Sequence, residues 1–281
     1  YYGNKKIIGE SFRNFKQYEK INDFQIFIND QINIEIDNDK KIILISQIEK
    51  KGRAIISGKK ISNWKINFAG HSMGNLANFN NLTGCLTFID IEVINIEINT
   101  NNGICEDTVN FIRSHGTIKN YSSKNSLSDS LDLDYSELKI NNVEIQNAKN
   151  DCIDFSGGNY SINNGLFKFC GDKAISVGEG SFLNLHSIYV ENSKLGLASK
   201  DGSKTFVKNI NLDNVEIPFA SYIKKKSYEA GFISVSGKRE IQRYDIIAIK
   251  ASTFLSANGK KSTPVFKSEV KFSSLCCSRS T

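Results

Sequence analysis

Three columns of side chains in this sequence have types and spacing suited to chemistry. Taking Val109 as a landmark and adding 22 at each step, the residues two positions before it are Asp107, Asp129, Asp151 and Lys173. One position after it come Asn110, Asp132, Asp154 and Ser176. Three after it come Ile112, Asp134, Ser156, Gly178, Lys200 and Tyr222, with Asp172, Glu179 and Asp201 close by. If residues at this spacing stack, the aspartates form one wall. Two carboxylates ~5 Å apart repel by ~1 kcal/mol in water and by several at an effective dielectric near 20. Such a wall calls for a shared proton, a lysine or a bound cation. Folding alone is served as well by Thr, Asn or Ser, so the columns read as an acid–base or cation site. A solvated charged face is the plain alternative.

Stacking depends on the elements between. The landmarks Val109, Leu131, Ile153, Ile175, Leu197 and Phe219 are all apolar. Two residues on stand Phe111, Leu133, Phe155, Val177, Ser199 and Ser221, with mostly polar or small residues in the middle. This is the two-residue alternation of a strand with one buried face. Further columns follow at Ile118, Ile140, Ile162 and at Asn120, Asn142, Asn164. A fixed period in the twenties with Ile-, Asn- and Ser-rich units indicates a solenoid. Leucine-rich repeats need a Leu signature and a helical stretch per unit, and residues 80–225 have no helical periodicity. The expected fold is all-β, a parallel β-helix with about 22 residues per coil and ~4.8 Å between coils. The Asn column is expected to serve turns and amide ladders, and His186, in the same register, to be a turn residue. Residues 1–60 are expected to supply strands or a cap, 61–256 the β-helix, and 257–281 a basic, poorly ordered tail.

Composition bounds the partners. The 281 residues carry a formal charge of +6, with 40% hydrophobic and 23% charged residues, as in a chain that buries a core. Disorder is excluded for most of its length. No Lys/Arg face with interleaved aromatics suggests nucleic acid, no run approaches the ~18 apolar residues of a membrane span, and no Gly-rich phosphate loop is present. Residue 1 is Tyr and no signal-peptide core is visible, so a fragment or processed chain is expected. The spacing of Cys85, Cys105, Cys152, Cys170, Cys276 and Cys277 fits no zinc motif. Buried thiols inside the coil remain one reading of the first four.

Residues 125–202 resemble the polygalacturonase-like branch of the pectin-lyase-like, right-handed β-helix superfamily. Those enzymes carry Asn-Thr-Asp, then Asp-Asp-Cys, then Gly-His-Gly before a short strand, then Arg-Ile-Lys, about a coil apart. Here Leu127-Ser128-Asp129, Asn150-Asp151-Cys152, Gly171-Asp172-Lys173 and Ala198-Ser199-Lys200 stand in that order. Two acids and one lysine match. Asn150, Asp172 and Ala198 replace an acid, a histidine and an arginine. The resemblance implies a right-handed coil, a Cys152–Cys170 disulfide, and a secreted, periplasmic or surface location. Cys85 and Cys105 could form a second bridge.

The resemblance also implies action on an acidic, uronate-containing polysaccharide. Asp129, Asp151, Asp172 and Lys200 are the expected catalytic groups. Asp132, Asp154, Lys173, Glu179, Tyr222 and Lys224 are expected to line the substrate. Hydrolysis with inversion needs an acid and a base carboxylate ~6.5–9.5 Å apart and no cofactor. Lyase or epimerase chemistry would add Ca²⁺ held by Asp129, Asp132, Asp151 and Asp154, with Lys200 or Lys173 as base. The other class of function is a non-catalytic solenoid that binds glycans or serves as a surface module.

Overall fold

The computed structural model describes residues 15–71, 76, 82–236, 239–242 and 269–272. Every regular element among them is a strand, and the chain winds into a β-solenoid of about 8 turns with coils about 22 residues apart. Three parallel ladders run along it. The first joins Ala54–Gly58, Gly84–Ile89, Asp107–Ile112, Asp129–Asp134, Ile153–Ser156 and Lys173–Gly178, then residues 195–200 and 217–222. The second stacks 115–118 on 137–140, 159–162, 182–185 and 204–207. The third stacks 120–124 on 142–146, 164–168, 187–191 and 209–213.

The alternation in the sequence decides which way each side chain turns. Val109, Leu131, Ile153, Ile175 and Leu197 are fully buried in one continuous core, and Phe219 packs against it half-buried. Phe111, Leu133, Phe155 and Val177 form the parallel row, with Phe88 stacked on Phe111 at 4.4 Å between ring centres. Burying each such side chain is worth ~1.5–3 kcal/mol. The intervening residues therefore turn outward, and their columns survive as outer rows of the first sheet.

The bends from the third sheet to the first are held mostly by asparagine, with Phe169 at one of them. Asn125, Asn147, Asn192 and Asn214 all have positive φ, between 52° and 62°, a region Asn tolerates better than most residues. Their amides form hydrogen-bonded ladders, Asn147 to Asn125 at 3.1 Å and Asn125 to Asn101 at 3.0 Å.

The end of the solenoid nearest the N-terminus is closed by antiparallel strands. Lys16–Ile21 pairs with Phe24–Ile28, which pairs with Ala54–Gly58, and Ile32–Asp37 pairs with Ile42–Gln47. These cover edges that would otherwise be open to further pairing. Parallel stacking already includes Ile42–Gln47 and Ala54–Gly58. Of residues 257–281 only Glu269–Phe272 is described, as a strand parallel to Phe232–Val235; the rest of that segment lies outside the described residues.

Two departures from a strict 22-residue step matter. Asp107 pairs with Gly84, and Asn159 with Phe182, each 23 residues apart. The second comes from an extra residue at the turn where Glu179 and Gly180 have positive φ. It moves Ser187, and not His186, onto the Asn164 rung. His186 is thus outside the Asn ladder where a uniform period placed it; it is exposed and contacts Lys208 at 3.1 Å.

Both bridges are formed: Cys85–Cys105 and Cys152–Cys170, each with Cα atoms 5.4 Å apart. Among the described residues no helix is long and apolar enough to cross a membrane.

Candidate functional site

The outer face of the first sheet carries the aspartates in two rows. One row reads Gly84, Asp107, Asp129, Asp151 and Lys173; the other reads Thr87, Asn110, Asp132, Asp154 and Ser176. The strands hold the rows in register, and the side chains also receive backbone hydrogen bonds from the next coil. Asp129 Oδ1 accepts the N–H of Asp151 at 2.9 Å, and Asp151 Oδ1 accepts that of Lys173 at 3.0 Å. Asn150 adds its amide to Asp129 Oδ1 at 2.6 Å.

Asp129, Asp151 and Asp154 come together, with one carboxylate oxygen from each within 4.8 Å of the others. Measured between these nearest oxygens, the gap is shorter than the ~6.5–9.5 Å between carboxyl groups that leaves room for a water in an inverting enzyme. Burial pushes the Asp129 carboxyl up to about 7, and the charges of Asp151 and Asp154 add to the rise. Burial also raises Asp151, although Lys173 opposes it.

Two lysines enter the same face. Lys173 Nζ donates to Asp151 at 3.2 and 3.3 Å and to Asp172. Lys200 Nζ donates to Ser176 Oγ at 2.7 Å and lies 3.5 Å from Asp154. Burial works to discharge both ammonium groups. The carboxylates outweigh it, Asp151 and Asp172 for Lys173, Asp154 foremost for Lys200, and both pKa values are raised. Both lysines are therefore charged at neutral pH.

The other expected residues fall around this centre. Asp132 turns away from the trio and accepts a hydrogen bond from the Asn110 amide at 3.0 Å, which also donates to Asp134 at 3.1 Å. Asp134 is pushed up to about 6 and Asp132 well above its usual range, burial being the first cause in each case. Asp172 is half-buried and held by Lys173, with Lys194 4.0 Å away. Glu179 is paired with Lys225; burial would raise it, but Lys225 and Lys200 outweigh burial and hold it below the usual range. Tyr222 is half-buried on the rung beside Lys200. Lys224 is exposed, and its N–H donates to Asp201 Oδ1 at 2.6 Å. Asp201 is fully buried and also takes the Lys225 N–H at 2.7 Å, so it organises the turn.

Sequence reasoning passed over Asn150 and Ser176 as partners. Asn150 counted only as a missing acid, yet it directs a donor at Asp129. Gly84 and Thr87 were also missed, because the coil before Asp107 is one residue longer than the period. A groove of about 770 Å³ lies elsewhere, on the third sheet, lined by Asn142, Asn164 and Tyr189 among others. None of the expected site residues lines it.

The site can hold and move protons at neutral pH, and its hard oxygen donors suit a divalent cation. Oxygens each 2.3–2.6 Å from one Ca²⁺ are separated by at most ~5 Å, so the trio fits that ion. Compared with protein-family profiles, with characterised proteins and with solved structures, the chain matches none.

Proposed function

We propose that the protein acts on an acidic, uronate-containing polysaccharide and hydrolyses a glycosidic bond at Asp129, Asp151 and Asp154. The observation that carries this reading is the convergence of three carboxylates within 4.8 Å, flanked by two lysines, on one outer face. Asp129, with its pKa near 7, is the proton donor to the leaving oxygen. Its bonds to Asn150 and Asp151 engage Oδ1 and leave Oδ2 to carry the proton. Asp154, the more exposed carboxylate at 22%, faces the anomeric carbon. A separation below ~5.5 Å favours double displacement. In that course Asp154 forms the bond to carbon while the C–O bond to the leaving group breaks and Asp129 gives up its proton. Water then reverses the step, returning its proton to Asp129. Lys173 and Lys200, both charged, offer pairing to the uronate carboxylate. The two disulfides agree with a secreted, periplasmic or surface setting.

A second reading rests on the same 4.8 Å spacing. Asp129, Asp151 and Asp154 would hold a Ca²⁺ ion, which when bound neutralises a substrate carboxylate for elimination or epimerisation. Against it, the raised pKa values of Lys173 and Lys200 leave neither a ready base. A panel of uronate polysaccharides, with Ca²⁺ or with chelator, separates the readings. New reducing ends without absorbance near ~235 nm are expected for hydrolysis, whose general acid–base contribution is ~10²–10⁴-fold. Growth of that absorbance only with Ca²⁺ would establish elimination instead. No product from any polymer would overturn both and leave a non-catalytic solenoid.

A further inference from the structure

We propose that the same sheet holds a second hard-cation site, one rung nearer the N-terminus, where Asp107, Asn110 and Thr87 present oxygens to Ca²⁺. It is separate from the Asp129–Asp151–Asp154 centre and does not depend on the activity proposed for that centre.

The starting point is a break in the hydrogen-bond pattern. Along this row each aspartate takes the backbone N–H of the residue one coil on, as Asp129 and Asp151 do. Asp107 does not, because the N–H of Asp129 goes to the Glu106 carbonyl at 2.9 Å. Asp107 is only 3% exposed, and its Oδ2 has no hydrogen-bond partner. Two neighbours are in the same condition. Asn110, wholly buried, aims its amide nitrogen at Asp132 and Asp134 and leaves Oδ1 without a partner. Thr87, 1% exposed and the rung partner of Asn110, leaves Oγ1 without one. Burial raises the Asp107 pKa, and the Thr83 hydroxyl beside it opposes part of that rise by hydrogen bonding.

Gly84 lets these side chains pack closely against its backbone. It is the rung partner of Asp107, and a Cβ on it would stand 2.6 Å from Thr87 Oγ1 and 3.0 Å from Asn110 Cβ. Each buried polar atom without a partner costs ~1–3 kcal/mol, so the oxygens of Asp107, Asn110 and Thr87 on these adjoining rungs favour an occupant. A water would meet some of these bonds but brings no charge. Asp107, Asp132 and Asp134 form no ion pair among the described residues, since Lys173 and Lys200 go to Asp151, Asp172 and Asp154. One or two carboxylates with neutral amide and hydroxyl oxygens are a Ca²⁺ donor set.

The test is a Ca²⁺ titration of the full chain by calorimetry and native mass spectrometry after treatment with chelator. It is run in the Asp154→Asn background, which removes a ligand from the trio. One Ca²⁺ per chain is expected to remain bound. Thr87→Val, equal in shape but lacking the oxygen, and Asp107→Asn should each weaken it by at least the roughly 10–100-fold that even outer partners of a metal contribute. Gly84→Ala, whose Cβ would press on Thr87 Oγ1, should weaken it too. No Ca²⁺ bound in the Asp154→Asn chain, or an affinity unchanged by Thr87→Val, would overturn the proposal. Turnover plays no part in the readout, so failure here is distinct from failure of the polysaccharide assay.

Discussion

Two regions of the solenoid stack identical side chains one coil apart, with opposite consequences. On the third sheet Asn164 donates to Asn142 at 3.0 Å and Asn142 to Asn120 at 2.9 Å. An amide has both donor and acceptor, so each rung satisfies the next and the ladder is complete in itself. On the first sheet the stacked groups are carboxylates, which only accept when ionised. They take backbone N–H groups, asparagine amides and two lysines, and the remaining need is met by protons or cations. One atom per side chain separates a ladder complete in itself from one that needs protons or cations. That difference favours the first sheet over the groove on the third for the function proposed above.

The contrast can be broken most forcefully at the carboxylate ladder. Asp129→Asn keeps shape and hydrogen bonding but removes the proton carrier, and should lower polysaccharide cleavage by ~10²–10⁴-fold. Asn164→Ala should leave the cleavage rate unchanged. Next in size is Lys173→Met. It strands the Asp151 carboxylate, whose side chain is 4% exposed, and should cost ~3–5 kcal/mol in urea unfolding. Adding Asp151→Asn should recover most of that loss. Replacing Cys152 and Cys170 by Ser opens the loop beside Asp151 and should cost ~3 kcal/mol.

The pH dependence is smaller and has a definite sign. Asp129 titrates near 7 when folded and near 3.8 when unfolded. Between those values the folded chain keeps a proton that the unfolded chain has released, so stability falls as pH rises from about 4 to about 7. The fall is on the order of a few kcal/mol. Melting temperatures across this window should show it, and Asp129→Asn should flatten it. The smallest effect belongs to the amide ladder. Asn164→Asp deletes the donor to Asn142 at an exposed site and should cost ~1 kcal/mol at neutral pH, partly restored in acid.

The stack itself was legible in the sequence because strands alternate with period two and coils repeat near 22. The apolar landmarks from Val109 to Leu197 could only face one core, and that turned Asp129, Asp132, Asp151 and Asp154 outward together. What was not legible came from single-residue insertions and from partners on other coils. The longer step before Asp107 hid Gly84 and Thr87, and the extra residue near Gly180 displaced His186. Asp132 and Asp154 share a row, yet one is drawn to Asn110 and the other lies by Lys200. No spacing rule distinguishes them, since the choice depends on a side chain one coil below and another two coils above.

The most direct measurement is a carbon-13 NMR titration of the aspartate carboxyls, with Asp129 assigned by its loss in Asp129→Asn. Stacked carboxylates that share a buried face should give an Asp129 midpoint near 7 without divalent ions. A midpoint near the ordinary value of 3.8 would mean that these side chains stand apart in water, and the reactive face would not exist.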